Sequence, residues 1–196
     1  MSLDCFLLLT EPRRPWLDAD VLKERFFTLS AIVHPDRVHG ASEAEKLAAT
    51  AHYTQLNAAY HCLREPKDRL RHLLELELGH KPSDLTRVPD DLMELFSVVG
   101  KILRETEAFR GEQQRATSPL LKVALFERGQ EWADKLGEVR AKISPRREAL
   151  LAELREMDAA WPDAKPLDRL AEIWRLLGYY DRWLAQLQER AVQLVF

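Results

Sequence analysis

Residues 18–64 read DADVLKERFFTLSAIVHPDRVHGASEAEKLAATAHYTQLNAAYHCLR, two apolar stripes parted by one polar loop. Asp18 is a good N-cap, and Leu22, Phe26, Leu29 and Val33 recur at helical spacing to form the first stripe. Pro35 stops that helix, because the residue before a proline is pushed out of the α region. The loop from His34 to Ala41 follows. Ser42-Glu43-Ala44-Glu45 is a capping box opening a helix to Arg64. Its Leu56, Ala59, Tyr60 and Leu63 supply the matching face, and two such faces joined by a short loop predict an antiparallel helical hairpin.

The same punctuation extends in both directions. A short helix is expected over Leu3 to Leu9, ended by Pro12 and Pro15. Pro66 fits the first turn of a further helix and Gly79 its C-cap. The stretch Gly79 to Pro89 is polar and broken by Pro82, so the domain boundary belongs there: residues 1–78, a connection over 79–89, and a second domain over 90–196. Helices are expected over 90–107, 119–143, 145–160 and 167–194. Ser144-Pro145 either kinks one long helix or caps a new one. With few glycines and almost no strand-like alternation, the fold class is all-α, the hairpin domain being followed by a three-helix bundle.

Composition removes several classes of function. A formal net charge of −3 lacks the surplus of Lys and Arg that bulk nucleic-acid binding needs. The five tryptophans, without a basic groove, are core or interface residues. Cys5 and Cys62 form no CxxC pair, and the histidines show no ligand spacing, so neither a metal site nor a disulfide is expected and no cofactor is implied. The N-terminal apolar run is short, carries Asp4 and has no preceding basic residue, which is unlike a secretory signal. No segment approaches the roughly 20 apolar residues of a membrane span. A soluble protein of the reducing cytoplasm is expected. There is no Gly-rich phosphate loop, nucleophile elbow or paired-carboxylate site, so no enzyme is indicated.

His34-Pro35-Asp36 by itself is a helix stop followed by an N-capping aspartate. Its setting gives it more meaning: it stands at the tip of the hairpin, after a helix bearing Lys23 and Arg25, and Arg37 follows it. Proline stiffens the backbone there, so that an exposed carboxylate is held where it can meet an arginine of a partner.

These residues carry a resemblance. The helix, HPD loop and helix resemble a J-domain. Ala44-Glu45-Lys46-Leu47-Ala48-Ala49, then Leu56-Asn57-x-Ala59-Tyr60-x-x-Leu63-x-x-Pro66 and Arg69-x-x-x-Leu73-Leu74, resemble the J-domain of HscB, the iron–sulfur cluster co-chaperone. Arg25-Phe26-x-x-Leu29 matches as well. Leu92-Met93-Glu94 and Tyr179-Tyr180-Asp181-Arg182-x-Leu184 are similar, more loosely, to the HscB C-terminal bundle. The resemblance implies an adaptor without catalytic residues. His34, Pro35, Asp36, Lys23, Arg25 and Arg37 would dock on a DnaK/HscA-type chaperone and stimulate its ATPase by biasing it toward the hydrolysis-competent state. Leu92, Met93, Phe96 and Tyr179 would hold the iron–sulfur scaffold protein. Two departures from the family stand out: Ser30-Ala31-Ile32-Val33 replaces the usual basic and aromatic residues before the HPD, and Leu95-Phe96-Ser97-Val98-Val99-Gly100 replaces a charged run after Glu94. The cysteine-bearing N-terminal module of eukaryotic relatives is absent, which points to a bacterial type.

The residue pattern bears on the scaffold site separately. From Leu92 to Leu103 the apolar positions span an arc of about 220°, whereas packing one side of a helix needs a stripe of a little over about 100°. Either the surplus, Leu92, Met93 and Phe96, is a docking patch, or all of it is buried among several helices. The competing functions are a J-protein with another client and a structural helical protein with an inert HPD loop.

Overall fold

Three side chains start the first three helices. Asp4 accepts hydrogen bonds from the N–H groups of Phe6 and Leu7 (3.0 and 3.2 Å) and opens α1, Cys5–Leu8. Asp18 does the same for Asp20 and Val21 and opens α2, Ala19–Ile32. Ser42 and Glu45 form the reciprocal capping box that opens α3, Glu43–Arg64, with the Ser42 N–H donating to the Glu45 carboxylate at 2.9 Å. Pro66 begins α4, Pro66–Leu78, which Gly79 ends in the left-handed region (φ 75°), donating its N–H to the Glu75 carbonyl. Three longer helices follow: α5, Asp90–Arg115; α6, Pro119–Ala159; and α7, Leu167–Val195. The structure, a computed structural model, describes residues 3–34, 36, 40–83, 90–161 and 163–195, with the backbone alone at 90, 91 and 195. No strand occurs among the described residues.

The chain divides into two compact units, Met1–Ser83 with Leu151–Trp174, and Asp84–Leu150 with Arg175–Phe196. In the first unit α3 packs against α1, α2 and α4. Leu22 and Phe26 of α2 and Leu56, Ala59 and Leu63 of α3 are buried between the helices, and Tyr60 stacks on Phe26 with ring centroids 4.3 Å apart. Arg69 is buried in α4 and donates to the carbonyls of Pro15 (2.9 Å) and Leu63 (2.7 Å), joining the N-terminal segment to the end of α3. Burial pushes its pKa down to about 10, still well above neutrality, so the guanidinium stays charged.

Residues 151–174 belong to this first unit, although the sequence placed all of 90–196 in one bundle. The reason is a set of polar anchors to the N-terminal segment. Asp158 receives the Arg14 guanidinium and the Trp16 N–H, Trp161 donates its indole N–H to the Arg13 carbonyl at 2.8 Å, and Lys165 pairs with Glu77 at 2.7 Å.

In the second unit α5 runs past Glu107 to Arg115, because Phe109 continues its buried stripe and meets Trp132 (centroids 6.4 Å) and the Arg128 guanidinium (4.9 Å from the ring centroid). The Ser144-Pro145 question resolves as a single helix: α6 passes through Pro145. Leu136, Val139 and Ile143 before the proline and Leu150 and Leu154 after it are all buried, so packing on both sides holds the helix against the lost backbone bond.

Candidate functional site

The hairpin tip is built by the end of α2. Val33 caps that helix with its N–H on the Leu29 carbonyl (3.3 Å), and His34 leaves it half-exposed. The His34 ring meets the edge of Tyr53 on α3, with centroids 5.3 Å apart at 76°, which fixes the imidazole against the hairpin. Its Nδ1 accepts the Asp36 N–H at 3.3 Å and lies 3.5 Å from the Asp36 carboxylate. A ring accepting at Nδ1 carries its neutral-form proton at Nε2. The imidazole therefore orients the Asp36 backbone, while the Asp36 side chain stays 89% exposed and points its charge into solvent. Pro35 and Arg37 lie outside the described residues.

The two basic residues expected beside the tip differ in availability. Lys23 is exposed. Arg25 is engaged within its own unit: its Nε lies 3.2 Å from the Glu11 carboxylate and its guanidinium also donates to the Thr10 carbonyl. The solvent face of α2 carries Val21, Phe27 and Ile32, each at least half exposed, and is thus more apolar than basic.

The four scaffold-site residues divide. Leu92 is fully buried, so it is a core residue and takes no part in an exposed patch; this corrects the expectation from the resemblance, and for Leu92 the arc's alternative of burial holds. Met93 and Phe96 are 55% and 50% exposed, and Tyr179 is half-buried. Trp183, not singled out from the sequence, joins them: Phe96 meets it edge-on at 6.1 Å and Tyr179 lies 5.9 Å away. The spacing of Tyr179 and Trp183, one helical turn apart, was the available signal. A second exposed apolar row, Leu120, Leu121, Val123 and Phe126 at the start of α6, was also not anticipated.

The fold also brings together two cysteines that looked unrelated. Cys5, Cys62 and His72 each offer a donor atom within 4.8 Å of the others. The adjacent Cys62 thiol, with help from His72, lowers the pKa of the Cys5 thiol well below its usual value, against the opposing effect of burial. Cys62 is raised in turn by Cys5 and by burial.

An all-helical chain whose first unit is a capped hairpin presenting His34 and Asp36 at its tip has the J-domain class of architecture. Within that class the chain resembles the HscB co-chaperones over nearly its whole length. It is 26% identical over 180 residues to the co-chaperone protein HscB homolog of Shewanella loihica, covering 92% of both chains. It is 36% identical over 91 residues to the homolog of Chromobacterium violaceum, covering 46% of this chain and 52% of that one. Its fold matches the chaperone HscB from Vibrio cholerae with a TM-score of 0.70 at 22% identity, covering 98% of this chain and 99% of that one. Human co-chaperone protein HscB follows with a TM-score of 0.60 at 21% identity, covering 97% and 81%. No family model matches the sequence. No helix among the described residues is long and apolar enough to cross a membrane.

Proposed function

We propose that the chain is a co-chaperone of the HscB kind, acting in the cytoplasm through a DnaK/HscA-type ATPase. The observation that carries this reading is the Asp36 carboxylate, 89% exposed, with its backbone N–H held by the His34 ring that rests on Tyr53 at the tip of a capped hairpin. A fixed exposed carboxylate recognises an arginine through charge-assisted hydrogen bonds, and a guanidinium fork can take both oxygens. The J-domain contributes no acid, base or nucleophile to ATP hydrolysis. It binds the hydrolysis-competent state of the chaperone more tightly and so raises its population. Lys23 is the cation of α2 free to add to this docking, Arg25 being held by Glu11 and the Thr10 carbonyl; Pro35 and Arg37 complete the proposed surface.

The client is proposed to be the iron–sulfur scaffold protein, held by Met93, Phe96 and Tyr179, the two aromatic rings meeting Trp183. One observation favours a different client: the burial of Leu92 leaves a smaller patch than the resemblance implies, while Leu120, Leu121, Val123 and Phe126 expose a second apolar row. A single experiment addresses both halves. Single-turnover ATP hydrolysis by the chaperone is measured with the wild-type chain, alone and with the scaffold. Stimulation that the scaffold enhances is expected. Stimulation indifferent to the scaffold would leave the co-chaperone and reject the client, and no stimulation would mean an inert HPD loop.

A further inference from the structure

Cys5 on α1, Cys62 on α3 and His72 on α4 converge inside the first unit, far from the HPD tip in sequence and serving no part of the proposed docking. We propose that these three side chains bind one thiophilic cation of the zinc class, leaving a fourth position for water or an external ligand.

The geometry is close to a tetrahedral face. With Zn–S near 2.3 Å and Zn–N near 2.0 Å, donor atoms around one ion stand about 3.5–3.8 Å apart. The three donors already lie within 4.8 Å of one another, so side-chain shifts of about 1 Å close the site. Two sulfurs and an imidazole are soft and borderline donors. That set selects zinc-like ions over magnesium or calcium, which take oxygen.

The surroundings hold the donors in place. His72 is buried and its ring stacks on Phe6 (5.8 Å, 13°). Its Nε2 already points a lone pair at Cys5, accepting that residue's N–H at 3.0 Å, a bond that a metal at Nε2 would replace. The Asp4 carboxylate lies 4.0 Å from the same nitrogen and is itself fixed by Arg13 and by the α1 N–H groups, which adds negative potential beside the site. Two thiolates and a neutral imidazole balance a divalent ion, so occupation adds no net buried charge. The ligands come from three helices, and the ion would tie the short α1 to the α3–α4 pair.

A disulfide between Cys5 and Cys62 is the competing chemistry, and it would leave His72 as the acceptor of the Cys5 N–H alone. The full-length protein, reduced and stripped with a chelator, is titrated with Co²⁺ by absorption and with Zn²⁺ against a chromophoric chelator. One equivalent of Co²⁺ is expected to give thiolate charge-transfer and tetrahedral bands that Zn²⁺ abolishes. Cys62→Ser and His72→Gln should each weaken Zn²⁺ binding by about 100-fold or more, since loss even of an outer-shell partner costs about 10–100-fold. Cys62→Ser keeps the size of the side chain and serves if His72→Gln does not fold. His80→Gln, at an exposed histidine outside the cluster, should bind as wild type. A reduced protein that takes up no metal, or Cys62→Ser binding like wild type, would overturn the site. So would oxidation to a disulfide as the only reaction of the pair.

Discussion

Tyr60 lies almost flat on Phe26, its ring 14° from parallel at a centroid distance of 4.3 Å, and this stack joins α3 to α2 just inside the solvent boundary. Leu63, one turn on, is fully buried in the same seam. Leu63→Ala should cost about 2–5 kcal/mol in denaturant unfolding. A double-mutant cycle on Phe26 and Tyr60 should return a coupling of about 0.5–1.5 kcal/mol. Additive effects of the two substitutions would mean that the rings do not interact in solution.

Asp36→Asn keeps the size of the side chain and removes its charge. Losing a hydrogen bond to a charged group costs about 1.5–3 kcal/mol, so ATPase stimulation at subsaturating concentration should fall by roughly tenfold or more. Unfolding should be unchanged, because Asp36 is exposed and its N–H bond to His34 is retained. Equal stimulation by both proteins in single-turnover assays would show that the chaperone does not read this carboxylate.

Met93→Ala with Phe96→Ala removes the exposed part of the second unit's patch. If it anchors a client, binding of the iron–sulfur scaffold in a calorimetric titration should weaken by about 2 kcal/mol or more. Stability should change by less than about 1 kcal/mol. Leu92→Ala should behave in the opposite way, costing about 2–5 kcal/mol of stability as a buried leucine does. Retained scaffold affinity in the folded double variant would direct attention to Leu120 and Phe126.

Pro145→Ala tests the continuity of α6. Within a helix proline lacks the N–H that would reach the Ala141 carbonyl, and its ring crowds that carbonyl, a penalty of up to about 3 kcal/mol. Because Pro145 is exposed, the alanine should add stability without disturbing the core, raising the urea midpoint seen by circular dichroism. A lower midpoint would mean that the proline begins a separate helix.

Glu153 receives both Nε and a terminal nitrogen of Arg169, at 2.7 Å each, and this hydrogen-bonded guanidinium holds its carboxyl below the ordinary value of 4.5. A carboxyl depressed in the folded state contributes stability above its unfolded pKa and loses it as pH falls through the folded value. Wild type should therefore exceed Glu153→Gln near neutral pH by up to about 1 kcal/mol, the limit for a partly exposed pair. The difference should begin to shrink as pH falls below 4.5 and vanish once the folded carboxyl is protonated in stronger acid. A gap that persisted there would assign the effect to packing instead.

Local chemistry determined much of this protein in advance. Asp18, Ser42 with Glu45, Pro66 and Gly79 act on backbone groups within four residues of themselves, so helix starts and stops in the hairpin were legible from the sequence. The stripes of α2 and α3 were legible for the same reason, since helical periodicity is a property of neighbouring positions. The placement of the His34-Pro35-Asp36 loop between them followed directly.

What tertiary structure alone decided depends on residues distant in the chain. Arg25 looked free until Glu11 and the Thr10 carbonyl claimed it. Leu92 and Met93 are neighbours with equal claims to the surface, and only the surrounding helices bury one and leave the other in water. Pro145 could stop or continue a helix, and the balance fell to apolar packing on both sides of it. Cys5 and His72 are 67 positions apart, a separation across which no spacing rule operates. Their meeting with Cys62 is set by how α1, α3 and α4 pack, because side-chain convergence is a property of the packed core and not of any one helix.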